Sequence, residues 1–265
     1  MERKLYKFSG AGNDFVVIDG REGDVSSFRE VARIEALCRE FRTDGLMILG
    51  SGDAEVDFVM EFYNPDGSGG MMCGNGGRCI VAFADYLGIR PSCHPELAEG
   101  SYLFRAPDGL HTGEILARPE DGLWEVRIKM IDVQGITPML GGYFLNTGTR
   151  HFVKFVDDVE QVDIDTEGKA LRWDPAFAPV GTNVNFVHVA PDGLHVRTFE
   201  KGVEGETLAC GTGLTASAIA AFYIGKPDTR LRARQDWLSV NFTPGPDEKF
   251  TDVYLTGPAR LVGIF

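Results

Sequence analysis

Two cysteines stand in the same local setting far apart in the chain, Cys73 in "GGMMCGNGGRC" (69–79) and Cys210 in "EGETLACGTGLTASAIAA" (204–221). Each precedes a Gly-x-Gly segment and then a run of residues suited to a helix. A thiol at a helix N-terminus sees unpaired N–H groups and about half a positive charge from the macrodipole. That field lowers a cysteine pKa from about 8.5 toward a range where thiolate exists at neutral pH. The same amides bind an anion such as a carboxylate. Two such starts suggest inversion of a stereocentre, in which a proton leaves one face as another arrives on the opposite face. A thiolate and a thiol do this without a cofactor, and their roles swap when the substrate enantiomer swaps. Both helix N-termini, aimed at the carboxylate beside the carbanion, would stabilise the developing charge. If the cysteines couple, they titrate as a pair.

The elements that position them repeat. Cys73 and Cys210 are 137 residues apart, and the same offset aligns Gly74 with Gly211, Gly76 with Gly213, Tyr86 with Tyr223 and Gly88 with Gly225. Upstream it aligns Phe15-Val16 with Phe152-Val153, Val59 with Val196, and Phe62 with Phe199. A constant offset over matching patterns predicts duplication of one strand–turn–cysteine–helix unit. Two similar lobes pack naturally about a pseudo-twofold axis, with the ligand site expected in the cleft and the cysteines facing across it.

Short β-rich runs are predicted at 14–19, 56–64, 123–130, 151–156, 184–189, 194–200 and 253–262, between Gly, Pro, Asn and Asp turns such as "NPDGS" (64–68). One helix is predicted over 28–41, where Ser27 and Glu30 fit a capping box. Two more are expected at 77–87 and 214–224, and the Pro-rich stretch 90–100 reads as a loop. The lobe boundary is placed at 120/121, within the interval 115–135.

The length of 265 residues suits one large domain or two ordinary ones. A formal net charge of −13 argues against nucleic acid and anionic membranes, and also fits a charged surface that keeps a cytosolic protein in solution. No stretch approaches a membrane span and no targeting signal opens the chain, so a cytoplasmic location is expected. Cys38, Cys79 and Cys93 read as packing or loop residues. The cysteines form no C-x-x-C pair and the histidines do not group with them, so no metal site is expected.

The segments "GNDFVVID" (12–19), "NPDGSGGMMCGNGGRC" (64–79), "TNVNF" (182–186) and "FEKGVEGETLACGTG" (199–213) resemble the diaminopimelate epimerase family, within the wider proline-racemase-like fold. The resemblance implies an α+β fold of two lobes, each a curved, mostly antiparallel sheet around its cysteine helix. The final strand, 257–265, would cross back to the first lobe. It also implies a cofactor-independent epimerase that interconverts LL- and meso-diaminopimelate, feeding lysine and peptidoglycan synthesis, with Cys73 and Cys210 as the acid/base pair. Gly74, Asn75, Gly211 and Thr212 would cradle the reacting carboxylate. Asn13, Asn64, Asn183 and Glu200 would line the substrate pocket, Glu200 meeting the reacting ammonium. Its members are often dimeric, so a homodimer is one expectation, which the residues themselves leave open.

Departures from the family pattern fall mostly at recognition positions. Glu200-Lys201-Gly202 stands where Glu-Arg-Gly is usual, and Lys cannot supply a guanidinium fork to a distal carboxylate. Gly148-Thr149-Arg150-His151 replaces Gly-Asn-Pro-His, so Thr149 and Lys201 become the substrate contacts there, and Arg150 is read as restoring charge from another direction. The opening Met-His-Gly is Phe8-Ser9-Gly10, and Gly45 stands where many members carry glutamine. His151 is either a residue that orients or activates a cysteine, or a strand-end or exposed histidine. Three alternatives stay open at this point: a racemase or double-bond isomerase of the same superfamily acting on another substrate, a cysteine hydrolase using Cys210 and His151, and a non-catalytic small-acid binding protein.

Overall fold

The computed structural model describes residues 3–92 and 97–265, so Cys93, expected in the 90–100 loop, lies outside the described residues. The chain divides into two compact units, Met1–Ile128 with Gly257–Phe265, and Lys129–Thr256.

The first unit is built on β1 (Tyr6–Gly10), β2 (Asn13–Asp19), β3 (Gly45–Ser51), β4 (Phe58–Tyr63), β5 (Ser101–Ala106), β6 (Gly109–Glu120) and β7 (Leu123–Lys129). These pair in chain order, and the end of β16 (Phe250–Ile264) pairs with both β7 and β1, closing the sheet. Among the described residues of this unit, only β2–β3 and β4–β5 are parallel. Phe15, Val16, Val17 and Ile18 of β2 are all buried, as expected of a strand covered on both faces, whereas β4 alternates with Phe58, Met60 and Phe62 inward. The helix α1 (Val31–Phe41) packs Ile34, Leu37 and Cys38 against Val16, Ile18, Leu46 and Ile48. The second helix, α2 (Gly74–Tyr86), is buried from Gly74 through Ala84, which identifies it as the helix the sheet wraps. Phe83 ties its far end to β1 by ring contacts with Tyr6 at 4.9 Å and Phe8 at 5.6 Å.

The second unit repeats this plan with β8 (Ile136–Met139), β9 (Gly142–Asn146), β10 (Arg150–Phe155), β11 (Asn183–Ala190), β12 (Gly193–Glu200), β14 (Arg230–Arg232), β15 (Trp237–Pro244) and the first half of β16. A short β13 (Gly205–Thr207) pairs with β12 alone. Again two neighbouring pairs are parallel, β10–β11 and β12–β14. Met130 and Val133, just before β8, hydrogen-bond Val253 and Phe250 of β16. Short helical turns, including α3 (Lys169–Arg172), cover Phe152, Val184, Phe186 and Phe199 on one face. The wrapped helix is α4 (Gly211–Tyr223), buried from Gly211 to Ala221 apart from the partly exposed Thr212. Burying Leu214 and Ile219 contributes about 1.5–3 kcal/mol each. Gly74 and Gly211 open the two helices at the 137-residue offset, and Asn13 and Arg150 open β2 and β10 at the same offset.

Several local expectations are corrected. The first unit extends to Ile128, inside the expected interval 115–135, because β7 pairs with β6 and with residues 257–260. The 28–41 helix is a 3₁₀ turn, Ser26–Arg29, then α1; Glu30 between them is extended, and no side-chain capping bond forms. The cysteine helices begin at 74 and 211, three residues earlier than expected, so the glycine-rich segments are first helical turns rather than turns leading into helices. Among the described residues, no helix is long and apolar enough to cross a membrane.

Candidate active site

Each cysteine is the N-cap of its helix, in extended backbone conformation, with φ −104° and ψ 152° at Cys73 and φ −114° and ψ 107° at Cys210. The first helical amides therefore belong to Gly74 and Asn75 in one unit and to Gly211 and Thr212 in the other. Helix geometry gives these groups no acceptor within the helix. Glycine in a helix costs roughly 0.5–1 kcal/mol relative to alanine, and both starts carry it where atoms approach closely. A Cβ at Gly213 would lie 2.3 Å from Asn185 Oδ1, and one at Gly77 would lie 2.8 Å from Met72 Sδ.

In the first unit Cys73 is exposed, and its Sγ accepts a hydrogen bond from Gly76 N at 3.2 Å. The preceding Met72 N donates to Asp108 Oδ1 at 3.1 Å, which anchors the approach to the helix. Asn75 Nδ2 donates to Asn13 Oδ1 at 2.5 Å, joining the helix start to the first residue of β2. Arg78, one helical turn on and fully buried, donates to Gly74 O and Asn75 Oδ1. Asn64 lies in the turn after β4, where its Nδ2 donates to Ser68 Oγ at 3.0 Å and its carbonyl accepts from Gly67 N. The structure thus joins Asn13, Cys73, Gly74 and Asn75 at one helix start, and gives Asn64 a turn partner.

The second unit surrounds Cys210 with a polar cluster. Cys210 is 8 % exposed, and its Sγ lies 3.4 Å from Thr212 Oγ1. His151 Nε2 is 2.9 Å from both Thr212 Oγ1 and Thr149 Oγ1. On the other side of the ring, Asn185 Nδ2 is 3.0 Å from His151 Nδ1 and donates to Phe152 O at 3.2 Å. A carbonyl oxygen only accepts, so Phe152 O fixes the Asn185 amide with Nδ2 toward the ring, and Thr198 donates to Asn185 Oδ1. The Nδ1 of His151 is then the acceptor and Nε2 carries the hydrogen. Complete burial pushes the His151 pKa down to about 3, so the ring is neutral at ordinary pH. Asn183 is fixed in the same way: Nδ2 donates to Arg150 O and Thr149 Oγ1, and Oδ1 accepts from Lys201 N at 2.8 Å. Thr147 Oγ1 donates to Thr212 O, a second tie between this strand region and the helix start.

Glu200 closes β12, largely buried, with Thr207 Oγ1 donating to its Oε2; burial raises its carboxyl pKa, and the Thr207 bond partly offsets that. Lys201 follows, partly exposed, its ammonium making no hydrogen bond or ion pair with a described residue. Arg150 is a correction. It projects from the face of β10 that carries Phe152, opposite His151, donates to Phe177 O, and lies 5.2 Å over the Phe144 ring. His151 is neither exposed nor at a frayed end. Cys38 and Cys79 are buried, and burial raises both thiol pKa values, in keeping with packing roles.

Asn185, Thr147, Thr198, Thr207 and Arg78 are not among the predicted site residues. Asn185 stands two residues after Asn183 in a strand, so both point to one face, and that spacing was the available signal.

The model of the family described as diaminopimelate epimerase matches residues 5–106 and 143–262. A diaminopimelate epimerase of Flavobacterium psychrophilum is 39% identical, covering 98% of each chain. One of Chlorobaculum tepidum is also 39% identical, over 96% of this chain and 97% of its own. Among solved structures, a Bacillus anthracis phenazine biosynthesis protein of the PhzF family superposes with a TM-score of 0.72 at 12% identity, covering 100% of this chain and 99% of that one. A probable proline racemase from Agrobacterium radiobacter gives 0.65 at 15% identity, over 100% and 92%. At such identities the last two speak to the fold alone.

Proposed function

The chain belongs to the diaminopimelate epimerase family and is an isomerase, and from that premise we propose that it interconverts LL- and meso-diaminopimelate by moving an α-proton between two cysteines, without a cofactor. One observation carries the mechanism: a cysteine occupies the N-cap position of a buried helix at the same repeat position in two units of like topology. The amides of Gly74, Asn75, Gly211 and Thr212 cradle the α-carboxylate, and the two macrodipoles stabilise the charge that builds up there when the α-proton leaves. Cys73 and Cys210 serve opposite faces of the α-carbon. Whichever is thiolate removes the proton, and the other, as thiol, returns one.

His151 acts as a positioning residue in this scheme. Its Nε2 hydrogen bonds a threonine hydroxyl oxygen, which leaves the Thr212 hydroxyl hydrogen to donate to Cys210 Sγ and favour the thiolate. Glu200 meets the substrate ammonium, whose charge offsets the burial that otherwise raises its pKa. Asn13, Asn64, Asn183, Thr149 and Lys201 contact the rest of the substrate, Lys201 as a point charge toward the distal carboxylate.

A second reading keeps the chemistry and changes the amino acid. The outward turn of Arg150 favours it, since that cation does not replace the fork that Lys201 lacks. Turnover in D2O tests both readings. Solvent deuterium at the α-carbon of diaminopimelate is expected; exchange with other amino acids only would move the assignment to the second reading, and no α-exchange with any amino acid would sink both.

A further inference from the structure

Arg78 is fully buried, and the scheme above gives it no task. Its Nη1 donates to Gly74 O at 3.2 Å, its Nη2 to Asn75 Oδ1 at 2.8 Å, and its Nε to Pro258 O at 3.3 Å. A guanidinium offers five N–H donors, no acceptor, and keeps its proton in proteins. Asn75 must therefore face it with Oδ1, which turns Nδ2 toward Asn13. Asn13 in turn must present Oδ1 to Asn75, leaving its own Nδ2 as the end that meets a ligand. Reversing either amide would set two like poles against each other.

We propose that Arg78 is a positioning residue that fixes the direction of the Asn75–Asn13 hydrogen bond and so presents Asn13 Nδ2 as an N–H donor to a substrate carboxylate. The inference rests on the proposed reading, in which Asn13 binds substrate. The matching position in the second unit shows what the arginine adds. Thr215, 137 residues on, turns its hydroxyl back to Gly211 O and orients no neighbouring amide. There the fixed direction comes from Phe152 O through Asn185 instead.

Steady-state kinetics on the native chain, Arg78→Met, Arg78→Gln, Arg78→Lys and Asn13→Ala, singly and combined, test the assignment. Methionine supplies no donor, and glutamine supplies an amide that can turn either way. Both are expected to raise KM about tenfold or more with kcat changed less than about threefold, the mark of lost uniform binding. Lysine, also donor-only, should recover most of the affinity. In an Asn13→Ala background the Arg78 substitutions should raise KM no further, because their effect passes through Asn13. Effects that multiply with Asn13→Ala, a fall in kcat at unchanged KM, or a native KM in Arg78→Gln would overturn the proposal. Should Arg78→Met fail to fold, Arg78→Gln and Arg78→Lys decide it. Absence of α-proton exchange in the native chain would instead count against the epimerase reading, and is measured first.

Discussion

The two helix starts share a backbone and differ in what stands behind it. Cys73 is exposed, and its sulfur is held by a backbone amide, Gly76 N. Cys210 is 8 % exposed, and its sulfur lies against a hydroxyl, Thr212 Oγ1. Behind the first stands a buried cation, Arg78; behind the second stands a neutral, fully buried His151. At Arg78's repeat position the second unit has Thr215, and at His151's the first has Asp14, paired with Lys7. The two units share a cysteine at the N-cap of a buried helix, while the side chains around it differ. In both units, however, a group of fixed polarity sets the direction: a guanidinium that only donates, and a carbonyl that only accepts.

Substitutions at paired positions separate the shared from the divergent part. Removing either thiol strikes the shared part. Cys73→Ala and Cys210→Ala are each expected to lower kcat for epimerisation by about 10²–10⁴-fold, read by polarimetry or deuterium uptake. Near-native turnover in one variant would break the equivalence of the two sites.

The next contrast is at Gly76 and Gly213, which occupy the same helical position. A Cβ at Gly213 would sit 2.3 Å from Asn185 Oδ1, in a buried and fully directed amide, whereas one at Gly76 would sit 3.3 Å from Cys73 Sγ. Gly213→Ala should displace Asn185, free the His151 tautomer, lower kcat by about 10–10²-fold and cost about 1–3 kcal/mol in denaturant unfolding. Gly76→Ala requires a shift of a few tenths of an ångström and gains helix propensity, so its stability should stay within about 1 kcal/mol of native. Equal losses at the two positions would contradict the difference drawn here.

A further contrast concerns pH. The unfolded chain takes up the His151 proton near its ordinary value of 6.5, whereas the folded chain keeps the ring neutral down to about 3. Between those values the unfolded state binds one proton more. His151 therefore removes stability as pH falls from 6.5 toward 3, by at most about 1.4 kcal/mol per pH unit. His151→Gln titrates in neither state. Its unfolding free energy should fall less steeply than the native over that window, and parallel curves would refute a buried neutral ring.

Much of this was legible in the sequence because a duplication leaves two copies of one pattern to compare. The 137-residue offset located both cysteines, both helices and the strands β2 and β10. What stayed illegible has physical causes. "CGNG" and "CGTG" carry turn composition, yet their glycines form the first helical turns, Gly213 held tightly against Asn185, so the helices begin three residues before the expected 77 and 214. Ser27 and Glu30 match a capping box, but Glu30 is extended and links two separate turns. β1, β3, β5, β6, β8, β9, β13, β14 and β15 fall outside the predicted runs: most are short or mixed with polar and glycine residues, and their inward face is set by neighbouring strands. Arg78 reads as a surface charge on any helical projection, and only a sheet closed around the helix makes it a buried donor. The direction of a hydrogen-bonded chain, which depends on which neighbour can only accept, has no signature in residue order.

The central claim is that one cysteine removes a proton while the other delivers a different one. The most direct measurement is the initial-rate isotope content of both pools when LL-diaminopimelate is turned over by the native chain in D2O. The account predicts that the first meso product carries solvent deuterium at the inverted carbon while the remaining LL substrate keeps its hydrogen. Product that retains the substrate's own hydrogen, or substrate that gains deuterium as fast as product forms, would mean a single base and contradict the account.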